Sequence, residues 1–261
     1  MVQVNIIILN KKIKWEAQNI LLKTIYEDKY ILVINKDVNL VVHPDINTNK
    51  NKKNTVFNGL LYYFPYLRDL PRAGIIHRLD KNTTGLMIIA KTMFVYFSLK
   101  RELKKHNIIR EYEAIVHGTI SQNNIINQPI KRLYKKNNIR MIISNDGKKA
   151  VTKYFVKNIF EKHTHLRIRL ETGRTHQIRV HLLHINHNII GDPIYKKNMN
   201  NNNFYNKIFK QIIQRQALHA CYLKFIHPIY NIPIKLYSPL PNDIYKLLDF
   251  LEQNKILNKK Y

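Results

Sequence analysis

His165-Leu166-Arg167-Ile168-Arg169-Leu170 alternates between basic and apolar side chains without a break. A period of two sends Leu166, Ile168 and Leu170 to one side of an extended strand and His165, Arg167 and Arg169 to the other. Such a strand belongs in an antiparallel sheet with one face on a core and the other open, here to an anionic ligand. Immediately after it, Ile178 and Leu182, four apart, predict a short helix behind Thr172-Gly173.

Working outward, strand signals dominate. Ile31-Leu32-Val33-Ile34, Leu86-Met87-Ile88-Ile89 and Ala114-Ile115-Val116 are short β-rich runs with turn residues nearby. Residues 219–226 and 232–237, separated by His227-Pro228, predict a further pair of strands. Helices are expected where Val95, Leu99 and Leu103 follow Thr92, and where Ile244, Leu247, Leu248 and Leu251 follow a capping Asn242-Asp243. The expected fold is α+β, a mostly antiparallel mixed sheet with flanking helices. No strand is followed by a glycine-rich loop and a helix, which argues against a nucleotide-binding parallel sheet. The Asn/Lys-rich stretches 48–54 and 196–206 read as surface loops, and no internal repeat is present.

A chain of 261 residues, 45% apolar, can bury a substantial core in one domain or two closely packed lobes. No apolar run approaches a membrane span, and Ile6-Ile7-Ile8-Leu9 is too short for a secretory signal. The single cysteine, Cys221, excludes an internal disulfide and any multi-cysteine zinc site. A soluble cytoplasmic protein is expected. Forty-four Lys+Arg against 17 Asp+Glu leave a net charge of +27, which favours polyanionic partners. Heavy use of Lys, Asn, Ile and Tyr matches an AT-rich genome, so part of that excess follows codon usage. On charge alone an acidic membrane stays open beside nucleic acid.

Three segments carry possible chemistry. In Arg72-Ala73-Gly74-Ile75-Ile76-His77-Arg78-Leu79-Asp80-Lys81-Asn82-Thr83-Thr84-Gly85-Leu86 a carboxylate lies among basic residues that would keep it ionised. Local chemistry alone favours reading Asp80 as a turn residue or a surface ion pair over a catalytic group. Glu171-Thr172-Gly173-Arg174-Thr175-His176-Gln177-Ile178-Arg179-Val180-His181 offers two arginines that could grip phosphates or a buried carboxylate, or could simply form a solvated helix face. No carboxylate completes a metal-ligand spacing with His176, His181 and His184, so no metal is expected. In Arg110-Glu111-Tyr112-Glu113-Ala114-Ile115-Val116-His117-Gly118, Tyr112 is either a core tyrosine or a platform for an unstacked base.

In combination and order, these segments resemble the RluA-type pseudouridine synthases. Asn35-Lys36 and Val41-Val42-His43-Pro44 precede them, and Gly191-Asp192-Pro193-Ile194-Tyr195 follows. The matches over residues 71–92 and at Arg215-Gln216-Ala217-Leu218-His219-Ala220 point to the branch that modifies large-subunit ribosomal RNA. The likeness spans about residues 20–255. It implies a pseudouridine synthase fold with a central basic RNA-binding cleft, no cofactor, and a monomer. Asp80 is then the essential carboxylate, Tyr112 the active-site tyrosine and Arg179 the arginine paired with the carboxylate. Arg78, Lys81, Arg174, His176 and Gln177 would face RNA. Asp80 either attacks C1′ or removes the C2′ proton; the sequence leaves both open.

Two departures stand out. The Pro-x-Gly that usually follows Asn-Lys is Asp37-Val38-Asn39 here. The branch also normally begins with an S4-type RNA-binding domain; residues 1–20 are expected to be the remnant of its exit and linker, with residues 21–261 forming the catalytic domain. The implied substrate is large-subunit ribosomal RNA or a pre-ribosomal particle, at the inter-subunit stem-loop. Alternatives are another rRNA or tRNA site, or a non-catalytic basic ribosome-associated protein.

Overall fold

The computed structural model describes residues 15–44, 53–135, 138–197 and 204–257. Strands β1 (Lys23–Glu27) and β2 (Ile31–Lys36) form a hairpin, and helix α1 (Val56–Tyr63) follows. Next come β3 (Thr84–Ala90), α2 (Met93–Lys104) and β4 (Ile109–His117). β5 (Asn124–Asn127), β6 (Ile130–Lys135), β7 (Asn138–Ile143), β8 (Val151–Ile159) and β9 (His163–Leu170) lead to α3 (Gln177–His184). The chain closes with α4 (Phe204–Ile212), β10 (Leu218–Ile226), β11 (Pro233–Tyr237) and α5 (Asn242–Leu257).

One sheet runs β1-β2-β3-β10-β4-β9-β8-β5, with β11 added to β10, while β6 and β7 pair separately. All its pairings are antiparallel except β10 with β3, so the expected mixed α+β architecture is the one observed. That parallel contact is short, His219 opposite Thr84 and Ala220 opposite Gly85. Gly85 has φ +117°, and a Cβ there would lie 2.2 Å from the Ala220 carbonyl oxygen. Only glycine allows the crossing, and it fixes where the Asp80 loop enters the sheet.

The run Ile31–Ile34 is apolar at every position because it is covered on both sides. Leu32 and Ile34 join a core with Ala114, Leu166, Ile168 and α1, α3 and α5, whereas Ile31 and Val33 pack with Val95 and Leu99 of α2. Thr92 caps α2 by accepting from the Val95 N–H, and Thr55 with Asn58 forms a capping box on α1. Residues 1–14 lie outside the described residues; 15–20, expected as linker, pack on α1. Trp15 meets Phe57 edge-on at 5.3 Å, and the Asn58 amide donates to the Glu16 carbonyl at 2.7 Å. The expected loops 48–54 and 196–206 lie largely outside the described residues, and 204–206 begin α4.

The alternation in β9 is as expected, but the charges of its basic face are already paired. Antiparallel register sets Arg169 opposite Glu111 and Arg167 opposite Glu113 of β4. Arg167 Nε lies 2.8 Å from Glu111 and its Nη1 3.0 Å from Glu113; Arg169 Nε donates to Glu111 at 2.8 Å, and His165 Nε2 lies 2.8 Å from Glu113. Cross-strand carboxylates have neutralised the face. Burial raises the Glu113 carboxyl, but hydrogen bonds and charge from His165 and Lys157 outweigh it and hold the group at about 2. Among the described residues no helix is long and apolar enough to cross a membrane.

Candidate active site

The site forms on the other face of β4, in a cleft of about 1440 Å³ whose lining includes Arg78, Asp80, Tyr112, Arg174, His176 and Arg179. The chain approaches Asp80 through a turn, Pro71–Gly74, in which Arg72, Ala73 and Gly74 all have positive φ. Ile75 then drops into one core and Ile76 into the other, which fixes the chain leading to Asp80.

Beyond Asp80, four consecutive residues are each held by a different buried side chain. Lys36 Nζ donates to the Lys81 carbonyl at 2.9 Å and Arg215 Nη1 to the Asn82 carbonyl at 3.0 Å. Gln216 Nε2 donates to Thr83 Oγ1 at 3.1 Å, and His219 Nδ1 bonds Thr84 Oγ1 at 2.8 Å. Arg215 is itself gripped by both oxygens of Asp243, at 2.7 and 2.9 Å. Lys36 also donates to the Asp37 and Leu40 carbonyls, and burial lowers its ammonium to about 7, against the pull of Asp80. A loop fixed at this many points keeps its carboxylate placed without help from substrate.

Arg179 Nη1 lies 3.0 Å from Asp80 Oδ2. Its other edge is bidentate to Asp192, Nε to Oδ2 at 2.7 Å and Nη2 to Oδ1 at 2.8 Å, so one planar guanidinium bridges two carboxylates. Burial lowers the Arg179 pKa, yet hydrogen bonds and charge from Asp192, then Asp80, raise it above its ordinary range. Asp192 Oδ1 also accepts the Ile194 and Tyr195 N–H groups, both at 2.9 Å, which closes the turn after α3.

His176 starts α3 with φ +55°. Tyr195 Oη accepts from the Met141 N–H at 2.9 Å and lies 2.8 Å from His176 Nδ1. His176 Nε2 lies 3.9 Å from Asp80 Oδ1. Burial lowers the His176 pKa more than the Asp80 charge raises it, so the ring is neutral near pH 7. Tyr112 is 4% exposed and lines the cleft. Burial pushes its phenol up to about 12; Arg110 opposes and Asp80 adds to the rise.

The structure brings Asp80, Tyr112, Arg179 and His176 together, although 99 positions separate Asp80 from Arg179. Arg78 and Arg174 are exposed along the same cleft. Lys81 is exposed but outside the cleft lining. Gln177, expected to face RNA, is 2% exposed, and its amide is spent internally. It donates to the Val151 carbonyl and Thr152 Oγ1 and accepts from Thr172 Oγ1 and the Arg174 N–H. It anchors the loop that presents Arg174. Asp192, Tyr195 and Lys36 were missed as site residues, although the Gly-Asp-Pro-Ile-Tyr and Asn-Lys matches marked them.

In this mixed sheet the carboxylate loop and Arg179 converge on one cleft. Residues 30–184 match the RNA pseudouridylate synthase family, and the chain belongs to it. It is 50% identical over 236 residues to ribosomal large subunit pseudouridine synthase D of Buchnera aphidicola subsp. Acyrthosiphon pisum (strain APS), covering 88% of this chain and 74% of that protein. To the protein of the same name from Haemophilus influenzae (strain ATCC 51907 / DSM 11121 / KW20 / Rd) it is 44% identical over 242 residues, covering 92% and 74%. Human RNA pseudouridylate synthase domain containing 4 shares the fold, with a TM-score of 0.68 at 22% identity, covering 88% and 93%.

Proposed function

We propose that this protein converts uridines to pseudouridines in large-subunit ribosomal RNA, with Asp80 as the carboxylate that acts at the sugar. The observation that carries the reading is the Asp80–Arg179 contact of 3.0 Å inside the cleft, at the end of a loop pinned by Lys36, Arg215, Gln216 and His219. The isomerisation breaks C1′–N1, turns the uracil, joins C1′ to C5, moves the C5 proton off carbon and leaves N1 protonated. Atoms and electrons balance within the substrate.

Asp80 acts as a carboxylate whether it attacks C1′ or removes the C2′ proton, and Arg179 Nη1 at 3.0 Å orients it. Tyr112 stacks on the extruded base. With its phenol at about 12 it remains protonated, so the final C5 proton leaves through another group or water. Extrusion costs a few kcal/mol, which contacts to the RNA backbone offset. We place the target at the inter-subunit stem-loop, in the cytoplasm, with a monomer as the acting species. Residues 21–261, with 15–20 packed on them, form the catalytic unit.

Asp80→Asn is the test. Pseudouridine formation on the target stem-loop should vanish in single-turnover assays while RNA binding stays near wild type. A variant that retained a tenth of the wild-type rate would remove Asp80 from the centre of the reaction.

A further inference from the structure

Of the three arginines that are buried among the described residues, two are paired with a carboxylate along both edges or one: Arg179 with Asp192 and Asp80, and Arg215 with Asp243. The third, Arg110, is 7% exposed and lines the cleft. It makes no side-chain hydrogen bond or ion pair among the described residues, and its Nε is sealed from solvent without a partner. An uncompensated buried guanidinium is costly, and natural proteins pair such groups unless a ligand supplies the partner.

Two exposed cations stand beside it. Lys100 and Arg72 line the same cleft, and no acidic side chain lies within ion-pair distance of Arg110, Lys100 or Arg72 among the described residues. The ammonium of Lys100 reaches only the Ile76 carbonyl, at 3.5 Å. His77 Nε2 accepts from the Ile88 N–H at 3.3 Å, so the proton sits on Nδ1, which is buried and has no acceptor. Burial lowers the Lys100 and Arg110 pKa values, and Arg72 lowers Lys100 further; burial, with the charges of Arg110 and Lys100, holds His77 at about 3. The strand's own carboxylates, Glu111 and Glu113, are turned to the far face and spent on Arg167 and Arg169. Gly173 leaves the guanidinium its room, since a Cβ there would stand 3.0 Å from Arg110 Nη1.

We propose that Arg110, with Lys100, Arg72 and the neutral donor His77, forms an anion subsite that takes a backbone phosphate of the RNA beside the extruded uridine. The identity of the RNA rests on the function proposed above; the anion subsite does not. A full negative charge suits the place, because buried Arg110 lacks a protein counter-charge and the exposed Lys100 and Arg72 add two more cations along the same cleft. Arg110 lies two residues from Tyr112 on the same face of β4, about 7 Å along the strand, so phosphate and stacked base can be held together.

The test uses Arg110→Met, with Arg110→Lys as the charge-retaining partner, in the full chain. Inorganic phosphate should raise the melting temperature of wild type and of Arg110→Lys, and leave Arg110→Met unmoved. Without phosphate, Arg110→Met should melt at or above wild type, because the arginine lacks a protein partner. For the target stem-loop, the log–log salt dependence of affinity should be less steep by about 0.7 in Arg110→Met, one phosphate on a single strand, and recover in Arg110→Lys. A less stable Arg110→Met that still answers to phosphate would make the arginine structural and overturn the proposal. A lost phosphate response with an unchanged RNA slope would overturn the assignment to the RNA backbone. Wild type that forms no pseudouridine while both responses stand would sink the catalytic reading and leave the subsite in place.

Discussion

Asp192→Asn replaces one oxygen by an NH₂ group and so tests how the Asp80 site is held without touching Asp80. The Asp192 side chain is fully buried and its partner Arg179 is 4% exposed. Asparagine can keep the oxygen that accepts from the Ile194 and Tyr195 N–H groups. Its NH₂ then faces Arg179 Nε, donor against donor, where a carboxylate oxygen now accepts at 2.7 Å. Removing one partner from a buried ion pair typically costs about 3–5 kcal/mol, and Asp80 at 3.0 Å compensates in part, so we expect about 3 kcal/mol. For a chain of this size that is a fall in melting temperature of roughly 6–12 °C. Arg179 should also move off its present line with Asp80, lowering the single-turnover rate by about 10–100-fold with little change in RNA affinity. Urea unfolding and single-turnover assays on one preparation measure both effects. A variant within about 0.5 kcal/mol of wild type, with an unchanged rate, would refute the view that Asp192 positions the arginine.

Two further outcomes follow from the same geometry. Tyr112→Phe should keep base stacking and most of the turnover, whereas Tyr112→Ala should lose both; equal activity of the two variants in a rate assay would exclude stacking. Glu113 is held at about 2 against an ordinary value near 4.5, so the stability it contributes is full above pH 4.5 and is lost as pH falls toward 2. That is a loss of about 3 kcal/mol, and Glu113→Gln should flatten this acid limb in unfolding measurements at pH 2–5; parallel limbs would show that the carboxylate is not the group titrating.

What could be read from the sequence followed how local the cause was. β2, β3, β4, β9, β10 and β11 carry period-two or fully apolar runs, and α2, α3 and α5 carry helical spacing, so each announced itself. Helix α1 did not. Val56–Tyr63 contains Asn58 and Gly59, poor helix formers, and it is held by a cap at Thr55 and by Trp15 and Ile20 packing on it. Helix α4 begins inside an asparagine-rich stretch, and β8 is buried only over its first half, which erases its alternation. At the site, the motifs marked Asp80, Tyr112 and Arg179, yet nothing local says that Asp192 would hold Arg179 or that Gln177 would turn inward.

The basic face of β9 shows the limit most clearly. Its alternation was legible, but its meaning depended on Glu111 and Glu113 arriving opposite Arg169 and Arg167 by register. The same period of two on β4 sends Arg110 and Tyr112 to the cleft. In a chain with only 17 acidic residues against 44 basic ones, spending two adjacent carboxylates on the far face leaves the cleft side of that strand cationic. Swapping the faces by one residue would pair Arg110's neighbourhood with acids and strip β9 of its partners. The register of one strand pair therefore decides both which arginines are structural and which is left in want of an anion.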